Sequence, residues 1–436
     1  MYNSYKESEI DWIGNVPKEW EIKKLKYISN AVKTGLTPPT KEEKYFEDDD
    51  FDWYTPGDLG ENLKLLNSNR KISKIAIQEK VAPLYERFTV LLVGIGATLG
   101  KVGIIEKPSS SNQQINAILF KSNYNPYYGA HYLTSISDVI VSFSNSSTLA
   151  ILNQTKTKNI LFIVPSKDEQ DKIVKFLDQK TLEIDNVIAS KEKLIELLKE
   201  YRQAIISEVI TKGIDKEVKL KDSGIEWIGE IPHHWEFKKI KYIANIVLGK
   251  MLTNKDKGGY FLKPYLRAQN IYWEKVDLSS LKEMWFSENE IGKFKLNKND
   301  LLVSEGGEVG RTAIWNNEIE ECYIQNSVHK LTFNENHDSK YFLYLFLFYG
   351  KKGYFESIAN RVSIAHLTRE KLIEIKLLIP PLLEQKAIAN FLEKKTSEID
   401  QFIINIAEQI EQIKDYRQAL ISEAVTGKID LRVLVA

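Results

Sequence analysis

A single cysteine, Cys322, stands in 436 residues. No internal disulfide framework can hold this chain, and a reducing compartment is expected. Net charge is lacking too, because 60 Lys and Arg offset 60 Asp and Glu. No global basic field announces a nucleic-acid partner, although local faces matter more than the sum. Long apolar runs are absent. The most apolar stretch, YFLYLFLFY at 341–349, is far too short to span a bilayer. The opening MYNSYKESEIDW has no basic-then-apolar signal pattern, so a cytoplasmic location is expected. Catalytic signatures are missing as well. The 6 histidines are scattered, with no H-E-x-x-H and no cysteine–histidine zinc spacing. No nucleophile elbow appears. Acid-x-Lys triplets such as Glu21-Ile22-Lys23 arise by chance in a chain this rich in Glu and Lys. The run Glu47-Asp48-Asp49-Asp50 with Asp52 reads as a solvated loop, since no second cluster supports metal coordination. The expectation is a protein that is not an enzyme and binds no metal.

What the chain does have is glycine in one conspicuous place, LLVGIGATLGKVGII at 91–105. A phosphate-binding loop of the form G-x-x-x-x-G-K-[ST] would need glycine at 95 and a hydroxyl at 102, where Ile95 and Val102 stand. The dinucleotide pattern G-x-G-x-x-G needs glycine at 99, which is Leu99. Both fail. A glycine turn between two buried strands is the expectation.

The chain repeats itself at an offset of 215. SEIDWIGNVPKEWEIKKLKYI (8–28) returns as SGIEWIGEIPHHWEFKKIKYI (223–243), and 165–215 matches 380–430 at 25 of 51 positions. A period this long means duplicated domains rather than a solenoid. Openers and tails agree closely; residues 29–164 and 244–379 agree sparsely. Even there LLVGIGATLGKVGII has a counterpart, LLVSEGGEVGRTAIW (301–315), which sets Gly96 on Gly306, Gly100 on Gly310 and Lys101 on Arg311. Ser304, Glu305 and Glu308 would spoil a nucleotide site but not a β-turn.

Residues 169–211 contain neither glycine nor proline, and Gly213 follows as a stop signal. Apolar residues recur at half-heptad spacing: Ile184, Val187, Ile188, Leu194, Ile195, Leu198, Tyr201 and Ile205, then Ile399, Phe402, Ile403, Ile406, Ile410, Ile413, Tyr416 and Leu420 in the second copy. Such seams call for a partner helix. Two near-identical helices in one chain most economically pack antiparallel on each other, with Lys191 interrupting the first seam where Ile406 sits in the second. A helix of about 40 residues is a spacer of roughly 60 Å. The middles mix short strands with polar and aromatic loops. Gln and Asn suit adenine, and Arg or Lys guanine, although such surfaces equally suit an ordinary fold.

Taken in order, SGIEWIGEIPHHW, the glycine turn before Lys101 or Arg311, HLT (366–368), PPLLEQ (380–385) and the paired YRQA helices resemble the DNA-specificity (S) subunits of type I restriction–modification systems. The resemblance covers nearly the whole chain. The first copy departs from it with PSKDEQ and with Ile151-Leu152-Asn153. It implies an α/β (α+β) fold: two globular mixed target-recognition domains separated by a pair of long antiparallel coiled-coil-like helices, in an internal pseudo-two-fold repeat. The expected segments are 1–164, a first recognition domain; 165–215, a central spacer helix; 216–379, a second recognition domain; and 380–436, a C-terminal spacer helix. It further implies that each domain reads half of a bipartite, asymmetric double-stranded DNA target. The helices would set the spacing and dock two methyltransferase subunits, with restriction/translocase subunits also in the complex. S-adenosylmethionine, ATP and Mg²⁺ would be bound by partners and none by this chain, which lacks the N/D-P-P-Y/F motif of amino-methylases. The candidate DNA-binding residues are Lys33, Thr34, Tyr54, Lys101, Asn112, Gln113 and Gln114 in the first domain. In the second they are Lys250, Arg267, Gln269, Asn270, Arg311, Gln325 and Asn326. Tyr201, Arg202, Tyr416 and Arg417 are candidates for partner or helix–helix contacts. Two rivals are a helical interaction scaffold without DNA specificity, and an enzyme with an unrecognised nuclease site. Sequence-selective binding by the assembled complex excludes the first; Mg²⁺-dependent cutting by the purified chain would establish the second.

Overall fold

The computed structural model describes the chain except residues 1, 3, 11, 61, 145–150, 362–364 and 433–436. It divides into two compact units, Met1–Glu192 with Glu408–Ala436, and Lys193–Ala407. The two long helices run over Lys167–Lys212 and Leu382–Val425. The unit boundaries therefore cut each helix rather than falling at its ends.

Each unit is built on the same two sheets. In the first, a five-stranded sheet has the order Ser29–Thr34, Ile115–Phe120, Val90–Val93, Val102–Ile105, Lys64–Leu65. In the second, the order is Ala244–Leu248, Val328–Phe333, Leu301–Ser304, Thr312–Ile314. The central strands VLLV and LLVS are buried at every position, as expected of short apolar runs covered on both faces. A smaller sheet places Phe51–Tyr54 parallel to Ser110–Ser111 in the first unit, and Phe261–Leu266 parallel to Tyr323–Ile324 in the second. A third element pairs each opener with the strand leading into a long helix: Glu21–Lys24 with Leu161–Val164, and Glu236–Lys239 with Lys376–Ile379. The repeat in the openers and tails thus has a structural cause. The indoles of Trp20 and Trp235, buried in their units, donate to Glu169 and Glu384 in the first turns of the long helices, where a carboxylate also suits the helix dipole.

The glycine stretch is a hairpin. Val90–Val93 and Val102–Ile105 pair antiparallel, as do Leu301–Ser304 and Thr312–Ile314. In both, the amide of the last glycine closes the turn, Gly100 onto Val93 O and Gly310 onto Ser304 O, each at 3.0 Å. The ladder corrects the alignment read from sequence. Leu301 pairs with Ile314, and the residue pairing with Ile104 is Val90, not Leu91. The left-handed glycines are Gly96 (φ 104°) and Gly100 (φ 89°) in one turn, and Gly307 (φ 76°) and Gly310 (φ 82°) in the other. Gly96 therefore corresponds to Gly307, and the second turn is one residue shorter. A positive φ is what demands glycine here, and identity at Gly306 is incidental.

Within each unit the helical segments run antiparallel. In the first, Lys191 Nζ donates to Gln409 Oε1 at 2.7 Å, and Arg417 Nε lies 3.4 Å from Asp185 Oδ1. In the second, Arg202 Nε lies 2.9 Å from Asp400 Oδ1. The inward positions are 184, 188, 191, 195, 198, 202 and 205 on the first helix, and 399, 403, 406, 410, 413, 417 and 420 on the second, all buried or half-buried. They alternate by four and three, the heptad seam of a coiled coil. Val187, Leu194, Tyr201, Phe402 and Tyr416, expected in the seam, are instead exposed. A seam of two heptad positions has no room for them.

Candidate nucleic-acid interface

The candidate residues of the second unit converge on one locus. The short helical turn Ala268–Asn270 is capped by Asn270, whose Oδ1 accepts from the Arg267 amide at 2.9 Å. The Ala268 amide donates to Ser327 Oγ at 2.9 Å, and the Gln325 amide to Leu266 O at 3.0 Å. Lys250 joins the same place, its amide donating to Ile324 O and its carbonyl accepting from Asn326. Gly249 makes that approach possible, because a Cβ there would stand 2.3 Å from Gln325 O. Arg311 reaches across from the glycine turn, Nη2 donating to Ala268 O at 3.0 Å, with its guanidinium 5.5 Å from the Tyr272 ring centroid.

The first unit repeats this frame with other side chains. The Asn112 amide donates to Tyr54 O at 2.9 Å, the counterpart of Gln325 on Leu266. Thr55 and Asp58 form the cap that Arg267 and Asn270 form in the second unit, with the Thr55 amide 2.7 Å from Asp58 Oδ2. A Cβ on Gly35 would lie 2.2 Å from Asn112 O. Around this point stand Thr34, bonded to Asn116 Oδ1 at 2.9 Å; Gln113, accepting from Thr37; and Gln114, whose amide donates to Asn112 Oδ1 at 3.0 Å. Lys33 is exposed on the adjoining edge strand.

Not every candidate is displayed. Tyr54 has no exposed surface, so only its carbonyl serves the site, while its ring belongs to the core with Leu59, Tyr85 and Leu91. Burial pushes its phenol well above the usual range. Asn270 is likewise fully buried and spends both ends of its amide on Arg267, Asp277 and Ser280. Lys250 is buried against Glu290, with Tyr260 and Phe286 beside its ammonium. Asn112 is buried too, donating to Gln114 Oε1 at 3.0 Å. These four are corrections: they build the frame and do not face a ligand. Lys101 and Arg311, aligned in sequence, part company in space. Lys101 is exposed and lines a cleft beside the long helices, whereas Arg311 is half-buried and braces the Ala268 loop. Of the others, Lys33, Gln113 and Gln269 are exposed, and Thr34, Gln114, Arg267, Gln325 and Asn326 are half-buried. Sequence reading missed Thr37 and the Thr55–Asp58 cap in the first unit, and the exposed Met251 and Leu252 in the second. The signal for the cap was present, since TPGD and RAQN hold the same place in the chain.

The helix candidates also divide. Arg202 holds Asp400 at 2.9 Å and Glu274 at 2.8 Å, and Arg417 contacts Asp185, so both guanidiniums act within the chain. Tyr201 and Tyr416 are 58% and 60% exposed, surfaces open to a partner. Among the described residues no helix is long and apolar enough to cross a membrane, and no group of three His, Cys, Asp or Glu could hold a metal ion. Cys322 is buried, and burial pushes its thiol up to about 12.

The family described as "Type I restriction modification DNA specificity domain" matches residues 17–200 and again 232–412. The MjaIX specificity subunit of a type I restriction enzyme from Methanocaldococcus jannaschii is 26% identical, over 99% of this chain and 97% of that protein. The EcoBI specificity subunit from Escherichia coli is 22% identical over 78% and 73% of the two chains. In fold, the chain is similar to a component of a type I R-M system solved in a study of complex assembly and conformational transition, with TM-score 0.72, 14% identity, and 95% and 99% of the chains covered. The HsdS subunit from Thermoanaerobacter tengcongensis gives TM-score 0.57 at 14% identity, over 95% and 98%. With both of its repeats matched, the chain belongs to the type I restriction modification DNA specificity family, and it is a specificity subunit carrying two copies of that domain.

Proposed function

We propose that each unit reads one half of a bipartite, asymmetric sequence in double-stranded DNA. One observation carries this reading: the two units share a frame of capped turn, glycine approach and polar turn, and mount different side chains on it. A shared frame fixes where a base edge would lie; different Gln, Asn, Arg and Lys side chains select different bases. Two modest affinities joined by a stiff helical spacer add through effective concentration. The long helices would set the distance between half-sites and present the Val187, Leu194 and Tyr201 stripe and Tyr416 to two methyltransferase subunits. Those subunits would supply S-adenosylmethionine and much of the phosphate neutralisation that a chain without net charge does not. ATP and Mg²⁺ would belong to restriction/translocase subunits, and this chain would contribute recognition without catalysis, in the cytoplasm.

The test is to replace Gln269 and Gln325 with Ala and map methylated adenines made by the assembled complex. The expected result is relaxed specificity in one half-site only, about 5-fold to about 150-fold for each bidentate pair lost, from about 1–3 kcal/mol. Changes in both halves, or in neither, refute the assignment.

A further inference from the structure

The loop that leaves the strand Ala244–Leu248 runs along the recognition frame of the second unit. The Lys250 amide donates to Ile324 O at 3.0 Å and the Asn326 amide to Lys250 O at 2.9 Å, a parallel bridge of Lys250 with Gln325. The next residue, Met251, therefore stands beside Asn326. It is 75% exposed, and Leu252 after it is 50% exposed. A lone exposed apolar side chain is ordinary, but these two belong to a patch. The Trp285 amide donates to Thr253 O at 3.0 Å, and Trp285 pairs with Leu262, so the exposed Phe261 and Leu262 lie alongside the same loop.

The first unit anchors its loop in the same way and mounts other side chains on it. Gly35 and Leu36 donate to Ile115 O and Ser111 O, as Gly249 and Lys250 donate to Val328 O and Ile324 O, each at 3.0 Å. Thr37 and Pro38 thus hold the places of Met251 and Leu252, and Gln113 that of Asn326. There the Thr37 hydroxyl donates to Gln113 Oε1. The second unit has no hydroxyl at this place. Asn326 Oδ1 accepts from Gln325 Nε2 at 2.7 Å instead, and Met251 offers apolar surface. Against a polar base edge that surface gains little; against a methyl group the apolar area of both leaves water.

Base edges in the major groove present donors, acceptors and one apolar group, the C5 methyl of thymine. Beyond Met251 the loop carries the exposed Lys255 and Lys257. Asp256 between them spends Oδ1 on the amides of Gly258 and Tyr260, at 2.8 and 3.2 Å. Amide side chains, an apolar group and cations thus follow one another along the loop and its frame, matching base edge, methyl and phosphate. Resting on the proposed reading of DNA by this unit, we infer that Met251, flanked by Leu252, is a specificity-determining residue that covers the C5 methyl of one thymine in the half-site of the second unit.

The test uses the assembled complex and a duplex carrying its mapped target. Each thymine of the half-site that the Gln269 and Gln325 variants relax is replaced in turn, on either strand, by uracil, which lacks only the C5 methyl. One replacement is expected to weaken salt-matched binding about fourfold, the worth of one buried methyl. Met251→Ser should bind the thymine and uracil duplexes alike at that position, with its melting temperature unchanged because Met251 is exposed. A half-site without thymine, or a loss that persists in Met251→Ser, overturns the inference. A complex that keeps its sequence selection yet tolerates every uracil refutes the role of Met251 alone. A complex that selects no sequence refutes the reading of DNA on which that role rests.

Discussion

Asn116 in the first unit and His329 in the second occupy the same strand position and bond the same place, Leu152 O and Leu367 O, both at 2.7 Å. A primary amide and an imidazole thus do one structural job. The units tolerate this because the job is to satisfy a buried carbonyl, and any donor of the right reach will do it. Arg311 and Lys101 show the converse. Both follow a left-handed glycine, yet one is spent inside on Ala268 O and the other faces a cleft. Equivalent chain positions fix where a side chain begins and leave open what it serves.

The largest expected effect tests the shared frame. Gly35→Ala and Gly249→Ala each put a Cβ within 2.3 Å of a backbone carbonyl, which cannot move aside as a side chain would. Each should cost about 3 kcal/mol, the upper range for overpacking, in denaturant unfolding of the full chain. If one tolerates alanine and the other does not, the two frames are not equivalent.

The next sharpens the Asn116–His329 difference by pH. Burial holds His329 down to about 4, from an ordinary 6.5. The folded chain therefore binds fewer protons than the unfolded one between those values. Stability from this group is complete above pH 6.5 and is lost as pH falls toward 4, by about 1.4 kcal/mol per pH unit and about 3 kcal/mol in all. His329→Asn, which copies Asn116, should remove that slope and keep the bond to Leu367. His131, also held down to about 4 by burial, and His337, lowered by burial, contribute slopes of the same sign, so the variant retains part of the histidine-linked loss. An unchanged slope would mean that His329 is not buried neutral.

The smallest effect concerns the helix seam. Arg202→Ala removes hydrogen bonds to two carboxylates, Asp400 and Glu274. A loss of roughly 2 kcal/mol is expected for such partly buried, charge-assisted bonds, read by chemical denaturation of the full chain. An unchanged stability would mean that these bonds add nothing to the helix seam.

Legibility followed chemistry. Long helices were readable from the absence of glycine and proline over 169–211, and the repeat from identities, some of which preserve a contact, such as Trp20 with Glu169 and Trp235 with Glu384. The candidate site was half readable. Gln113, Gln269 and Gln325 were reachable because amide side chains near turns stand out, while Tyr54 and Asn270 looked alike on paper and proved to be core. Composition cannot tell a polar residue that faces out from one that caps a turn, because both are chosen for hydrogen bonding.

The sequence by itself determined the duplication, the helical tails, the strand–glycine–strand hairpins and the family, because each rests on local periodicity or on matched identities. Only the tertiary structure decided the rest. It set the one-residue slip that puts Gly96 opposite Gly307, since strand register is fixed by packing between strands. It turned Val187, Leu194 and Tyr201 out of the seam, since a helix pair buries only a narrow stripe. And it brought Trp273 and Glu274 of the second unit onto Glu308 and Arg202, contacts between side chains distant in sequence that no local pattern announces.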